Sequence, residues 1–166
     1  MSAGILPYCG PYILLGYEQH KWSAFAGRPQ SFEHPSDTAK REFHEETCNA
    51  FSHVDMSKLH MLMETQTPSG QKFFLYGLPF PCRCSLDDFY RNRSRTHSKT
   101  HLEKKRLRWF HINHLPRLRP CFENDIDAIL QTLNRFTQTS FRAKTATNSM
   151  CITYTHVPSA APPPRL

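Results

Sequence analysis

The chain has 166 residues, 39% of them hydrophobic and 12% aromatic, which is enough for one folded domain with a buried core. Its mean hydropathy is −0.58, and no apolar run approaches the roughly 20 residues of a membrane span, so the composition argues against a membrane protein. The formal net charge of +7 favours an anionic partner, such as a phosphorylated small molecule, nucleic acid or a membrane surface.

The N-terminus and the cysteines bear on the compartment. The N-terminus lacks a basic start and is interrupted by Pro7 and Pro11, so we do not expect a secretion signal. We therefore expect an intracellular protein, cytoplasmic or nuclear, whose six cysteines are reduced thiols.

The first third of the chain predicts short strands and then a helix. Residues 4–8 and 12–17, separated by the turn at Gly10, predict two strands, and Trp22–Phe25 is a third extended segment. Ser36 follows a proline and suits a helix N-cap. Ala39 and Phe43 then fall on one apolar face, which predicts a helix of about three turns ending near Asn49.

The remaining elements complete a layered fold. Residues 58–67 and 71–80 predict two strands of a hairpin, and Arg106–Ile112 predicts another. The stretch 81–101 is polar and predicts an irregular connection, whereas 123–136 repeats apolar residues at helical spacing. We predict an α+β fold, an α/β/α sandwich with a mixed β-sheet over residues 1–137, followed by a disordered tail over 138–166.

The predicted helix carries an unusual acidic face. Glu42, Glu45 and Glu46 stand at i, i+3 and i+4, so their carboxylates share one side and repel one another. Arg41 can compensate part of this charge, and a divalent cation would compensate it well. Ligands that are all oxygen suit Mg²⁺ or Mn²⁺ rather than zinc.

The segment before the helix can contribute to the same site. Gly27 lets the backbone approach a ligand closely, and the carbonyl of Ala26 could then reach the same metal. Glu33 lies in the loop, where its carboxylate can orient Arg41 or a ligand. From Gly27 to Glu46 the pattern is G-x5-E-x7-R-E-U-x-E-E, where U is a bulky apolar residue. Its chance occurrence is on the order of one in 10⁵.

This pattern resembles the Nudix box, and the similarity to Nudix hydrolases extends over about residues 3–136. The resemblance implies an α/β/α sandwich that hydrolyses nucleoside diphosphates linked to another group, using Mg²⁺ or Mn²⁺. It implies that the metal is bound by Glu42, Glu45, Glu46 and the backbone of Ala26 and Gly27. The further catalytic residues it implies are Arg41, which orients a glutamate, and Glu103, an additional base or ligand. Glu45 or Glu103 would accept a proton from water.

The sequence departs from the family pattern in two places, the end of the helix and the double glycine. Cys48 and Asn49 replace a glycine and an apolar residue at the end of the helix. We expect Asn49 to adopt the left-handed conformation instead, which predicts a slightly longer helix. Ala26 replaces the first residue of a double glycine, which a backbone carbonyl ligand tolerates.

The substrate is less constrained by the sequence. The candidate substrate-binding residues are Tyr17, Phe25, Arg28, Phe74 and Tyr76, although aromatics at such positions also suit a core. The run 91–108 holds eight Lys or Arg and one acid, so it is either an RNA- or polyphosphate-binding insertion or a solvated loop. We expect a phosphorylated small molecule or capped RNA as partner, and no membrane. The alternative is an inactive Nudix-fold module that binds nucleotide or RNA.

Overall fold

Seven strands of the described residues form one sheet. The computed structural model describes residues 1–67, 69–81 and 84–136, so the expected tail lies outside the described residues. The strands are β1 (Ser2–Cys9), β2 (Tyr12–Glu18), β3 (Lys21–Ser23), β4 (Phe25–Gly27), β5 (His60–Gln66), β6 (Lys72–Pro79) and β7 (Arg106–His111).

The sheet is mixed, as the sequence predicts. Its central order is β3-β2-β1-β6-β5, with β4 paired to β1 and β7 paired to β2. The β1–β6 pair is parallel and the other pairs are antiparallel. Because β4 lies against one end of β1, the chain reaches Gly27 at the sheet edge just before the first helix.

Helices cover both faces of this sheet. They are α1 (Pro35–Glu46), α2 (Asp87–Arg95), α3 (Pro120–Glu123) and a closing helix over 126–136, with two short 3₁₀ turns at Met56–Lys58 and Thr100–Leu102. Side chains of β1 alternate between two cores, with Ile5 in the core under α1 and α2 and Leu6 in the core under the closing helix. The expected α/β/α sandwich is thus confirmed.

The C-terminus of α1 differs from the prediction. The helix ends at Glu46 rather than near Asn49, so the expected extension is wrong. Cys48 and Asn49 both adopt left-handed conformations, with φ of 54° and 56°. Their N–H groups donate to the carbonyls of Glu45 and His44, at 3.1 and 2.8 Å, which satisfies the last turn of the helix. The N-cap is His34 rather than Ser36.

The polar stretch after residue 81 also differs from the prediction, because it contains α2. Asp87 and Asp88 lie in the first turn of α2 and Arg93 in its last, an arrangement that complements the helix dipole. Phe89 is fully buried and attaches the helix to the core.

The cysteines are not all reduced. Cys9 is disulfide-bonded, which corrects the expectation of six free thiols, whereas Cys48 and Cys84 are free. A disulfide requires that the fold bring two Cα atoms to bonding distance, which a cysteine count does not reveal. Among the described residues, no helix combines the length and apolar character needed to cross a membrane. The intracellular location stays a prediction.

Candidate active site

Arg41 organises the acidic face of α1. Its Nε and Nη2 donate to the two oxygens of Glu33, at 2.8 and 3.0 Å. Its Nη1 donates to Oε1 of Glu42 at 2.8 Å and to Oε2 of Glu45 at 3.3 Å. Nη2 also donates to the carbonyl of Arg28, at 2.8 Å. One guanidinium therefore fixes two glutamates of α1 and, through Glu33, the loop that precedes the helix.

Glu33 is held in its charged form. The hydrogen bond from Arg41, followed by that from the backbone N–H of Gln30, lowers the pKa of Glu33 to about 2. The hydroxyl of Thr38 donates to the same carboxylate at 3.0 Å. Glu33 thus supports Arg41 from the loop, which is the orienting role expected from the sequence.

Gly27 leaves the space that the Glu42 carboxylate occupies. A Cβ atom at Gly27 would lie 2.1 Å from Cδ of Glu42, so no larger residue fits there with Glu42 in this position. Burial raises the pKa of Glu42, and the hydrogen bond from Arg41 opposes that rise. An oxygen of this partly desolvated carboxylate is a good ligand for a hard cation.

Glu46 is buried at the end of α1, with 2% of its surface exposed. Its Oε2 accepts the N–H of Ala26 at 2.8 Å, and its Oε1 lies 3.1 Å from Nζ of Lys104. Burial raises the pKa of Glu46 to about 8, while the Lys104 ammonium lowers it. Lys104 in turn pairs with Glu18 at 2.6 Å. Sequence reasoning missed both residues: Glu18 joins the site from β2, and Lys104 joins it from the segment before β7.

Glu103 joins the same group although it is distant in sequence. One oxygen each of Glu18, Glu46 and Glu103 lies within 4.8 Å of the others. We call Glu18, Glu42, Glu45, Glu46 and Glu103 the carboxylate centre. Its donors are all oxygen, and the raised pKa values of Glu42 and Glu46 reflect negative charge out of contact with water. The centre therefore fits a divalent cation.

A cavity of about 390 Å³ opens beside the carboxylate centre. Ala26 and Gly27, which contact Glu46 and Glu42, also form part of the cavity wall. The cavity combines apolar and polar walls, and its other lining residues include Arg28, Phe73, Arg119, Phe122, Asn124 and Asp125. A volume of this size accommodates a small molecule with both apolar and charged parts.

Of the five expected substrate-binding residues, Arg28 alone lines this cavity. Phe25 and Tyr76 are buried in the core under α1, and Phe74 packs against that core, so these three side chains contribute to core packing. Tyr17 lies beneath the guanidinium of Arg106, 4.3 Å from ring centroid to Cζ. Side chains alternate along β6, so Phe73, next to Phe74, lines the cavity. The other four substrate-binding residues stay a prediction.

Part of the basic run is used to hold the site together. Arg93 donates from Nε to the carbonyl of Lys104 at 2.9 Å and from Nη2 to that of Leu102 at 3.3 Å. Asn92 donates to the carbonyl of Cys48 at 2.9 Å. Helix α2 therefore connects the segment that bears Glu103 to the end of α1.

Solved structures of other proteins share this fold. No family model and no curated protein matches the sequence. A C. elegans Ap4A hydrolase in a binary complex is 17% identical with a TM-score of 0.51, covering 84% of this chain and 99% of its own. The Bacillus subtilis pyrophosphohydrolase BsRppH is 15% identical with a TM-score of 0.56, covering 81% and 80%. A Nudix-family hydrolase from Clostridium perfringens is 18% identical with a TM-score of 0.52, covering 80% and 94%. The chain therefore has the fold of the Nudix hydrolases.

Proposed function

We propose that this chain is a hydrolase, dependent on Mg²⁺ or Mn²⁺, that cleaves a pyrophosphate linkage in a nucleotide-linked substrate by attack of water on phosphorus. The observation that carries the proposal is the shared wall at Ala26 and Gly27. These residues contact Glu46 and Glu42, and they also line the cavity. A substrate in the cavity would thus have its phosphates next to the carboxylate centre.

Metal would be held by Glu42, Glu45 and Glu46 with the backbone of Ala26 and Gly27. When bound, it would neutralise phosphate charge and lower the pKa of a water molecule. The remaining tasks fall to the protein. Arg41 keeps Glu42 and Glu45 oriented before substrate arrives. Such preorganisation is the main protein contribution to phosphoryl transfer.

A general base is available within the centre. Glu45 is tied to Arg41 at 3.3 Å and keeps 26% of its side chain exposed, and Glu103 is exposed. Either carboxylate would accept the proton that the attacking water releases. Helix α1 holds Glu45 rigidly, so an oxygen of Glu45 that the metal leaves free would keep a fixed distance from the reacting water. Glu103 lies outside the residues that would hold metal.

The lining of the cavity favours a substrate that contains a nucleotide. Arg28 and Arg119 would pair with phosphates, and Phe73 offers an apolar surface for a base. One structural neighbour is an Ap4A hydrolase, which makes dinucleoside polyphosphates the first substrates to test, and capped RNA is tested because the basic run 91–108 favours it.

The test is a hydrolysis panel with the full chain. Nucleoside triphosphates, ADP-ribose, dinucleoside polyphosphates and capped RNA are incubated with Mg²⁺, with Mn²⁺ or with EDTA, and products are separated by chromatography. We expect hydrolysis that needs metal, and loss of about 10²-fold or more in Glu45→Gln with the fold retained. Glu64→Gln is the matched control, because Glu64 pairs with Lys72 on the surface.

Two outcomes would count against this function. Wild-type turnover in both Glu45→Gln and Glu46→Gln would remove the carboxylate centre from the chemistry. Tight binding of a nucleotide or RNA without turnover under any metal condition would instead support the inactive binding module.

A further inference from the structure

Lys104 places a positive charge inside the carboxylate centre. The residue is buried, with 1% of its surface exposed. Its Nζ lies 2.6 Å from Oε2 of Glu18, 3.1 Å from Oε1 of Glu46 and 3.0 Å from Oγ of Ser23. An ammonium group has three N–H donors, so these three oxygens satisfy it completely. Such a lysine is a fixed cation rather than a mobile surface charge.

Several elements shape the space for this side chain. A Cβ atom at Gly16 would lie 2.7 Å from Cδ of Lys104, so the lysine stem crosses β2 where the strand has no side chain. Arg93 of α2 fixes the Lys104 backbone through its carbonyl, at 2.9 Å. The ammonium is thus positioned by β2, by Ser23 of β3, by α1 and by α2.

The two carboxylates that hold Lys104 are also tied to the cavity wall. The second oxygen of Glu18 lies 3.0 Å from Nη2 of Arg119, which lines the cavity. The second oxygen of Glu46 accepts the N–H of Ala26. Donors from the chain therefore engage both oxygens of each carboxylate. Glu42 and Glu45 are held less fully than Glu18 and Glu46. The guanidinium of Arg41 contacts only one oxygen of each.

We propose that the Lys104 ammonium takes the place of one divalent cation in the carboxylate centre, in the position bounded by Glu18, Glu46 and Glu103. Divalent cations would then be held on the side of Glu42 and Glu45. Glu46 can accept a hydrogen bond from the ammonium and also contact such a cation, because each carboxylate oxygen has two lone pairs. Lys104 acts through Glu46 and is a positioning residue. This inference rests on the proposed metal-dependent function.

Mn²⁺ binding to the full-length chain tests the inference. Lys104→Met keeps the length of the stem and removes the charge, and the exposed neighbour Lys105→Met is the control. We count bound ions from the electron paramagnetic resonance signal of free Mn²⁺. We expect Lys104→Met to bind about one more ion per chain than wild type and Lys105→Met to match wild type. Mn²⁺ should also raise the Tm of Lys104→Met more than that of wild type.

A second variant covers the case in which Lys104→Met does not fold. Gly16→Ala keeps the lysine but displaces its stem, so it should also gain a bound ion. Unchanged Mn²⁺ counts in every variant that folds, together with an unchanged rise in Tm, would overturn the inference. If wild type binds no Mn²⁺ and hydrolyses nothing, the proposed function fails; if wild type binds Mn²⁺ and the variants bind no more, only the role of Lys104 fails.

Discussion

The Arg41 guanidinium fixes the position of two glutamates of α1 at once. It contacts Glu42 and Glu45 through a single nitrogen, and Glu33 holds the other side of the guanidinium. Because the bidentate pair with Glu33 fixes the plane of the guanidinium, the loop carboxylate controls the helix carboxylates indirectly. Glu33 therefore affects both the stability of the loop and the geometry of the site.

Glu33→Gln should change stability in a way that depends on pH. The pKa of Glu33 is lowered from 4.5 to about 2 in the folded chain, so its charged form is favoured by folding. Its stabilising contribution is present above the unfolded pKa of 4.5 and is lost as the pH falls toward 2. We expect the stability difference between wild type and Glu33→Gln to be constant near neutral pH and to shrink in acid, as measured by urea unfolding at a series of pH values.

Glu64→Gln provides the reference for that experiment, because it removes an exposed ion pair with Lys72. Its effect on stability should be small at every pH. A difference for Glu33→Gln that remains the same from neutral pH to acid would contradict the predicted contribution of Glu33.

At the scale of elements, α2 acts as a clamp on the segment that completes the site. Phe89 attaches the helix to the core, and Arg93 holds the carbonyls of Leu102 and Lys104. The segment between α2 and β7 carries Glu103 and Lys104, so its position depends on a helix that contributes no residue to the carboxylate centre.

Arg93→Gln should loosen this segment without unfolding the chain. It removes two hydrogen bonds from a charged donor, each worth about 1.5–3 kcal/mol, so we expect a loss of about 3 kcal/mol or more in unfolding free energy. Hydrolysis should fall further than stability alone explains, because Glu103 and Lys104 lose their fixed positions. Arg91→Gln on the same helix is the control, since Arg91 pairs with Asp88 at the surface. Equal activity in both variants would exclude the clamp.

The elements also show what the sequence predicts and what it does not. The location of α1 and the grouping of its glutamates could be predicted, because residues three and four positions apart in the sequence lie on one face of a helix. Helix α2 was missed because its charged residues obscure one buried apolar anchor, Phe89. The contact between Lys104 and Glu18 joins residues 86 apart in sequence, so no local pattern reports it. Phe73 was missed because one residue along a strand changes the face.

At the scale of the whole molecule, a chain of net positive charge contains an acidic centre. The net charge is +7, while the carboxylate centre gathers five glutamates. If the proposed function is correct, the net positive charge of the chain would attract its anionic substrate, and the carboxylates would need bound cations before they could receive phosphate. The two charges therefore act at different distances on the same substrate.

Ionic strength should separate these two effects. As KCl rises at fixed free Mg²⁺, we expect kcat/KM for an anionic nucleotide to fall severalfold, because salt screens long-range attraction beyond about 10 Å at 0.1 M. The value of kcat should change little, since charges within the site are screened far less. Steady-state kinetics over a salt series measures both. A parallel fall in kcat and kcat/KM would show that salt acts on the site itself.

The close packing of Gly16 against Lys104 should limit which residues related proteins carry at these two positions. The strand lacks a side chain at this position where the Lys104 stem crosses it, so the two residues form one structural unit although 88 positions separate them. A chain with a larger residue at 16 should also carry a shorter residue at 104, and substitution at one position should be tolerated when the other changes with it. In an alignment of homologous sequences, we expect these two positions to covary.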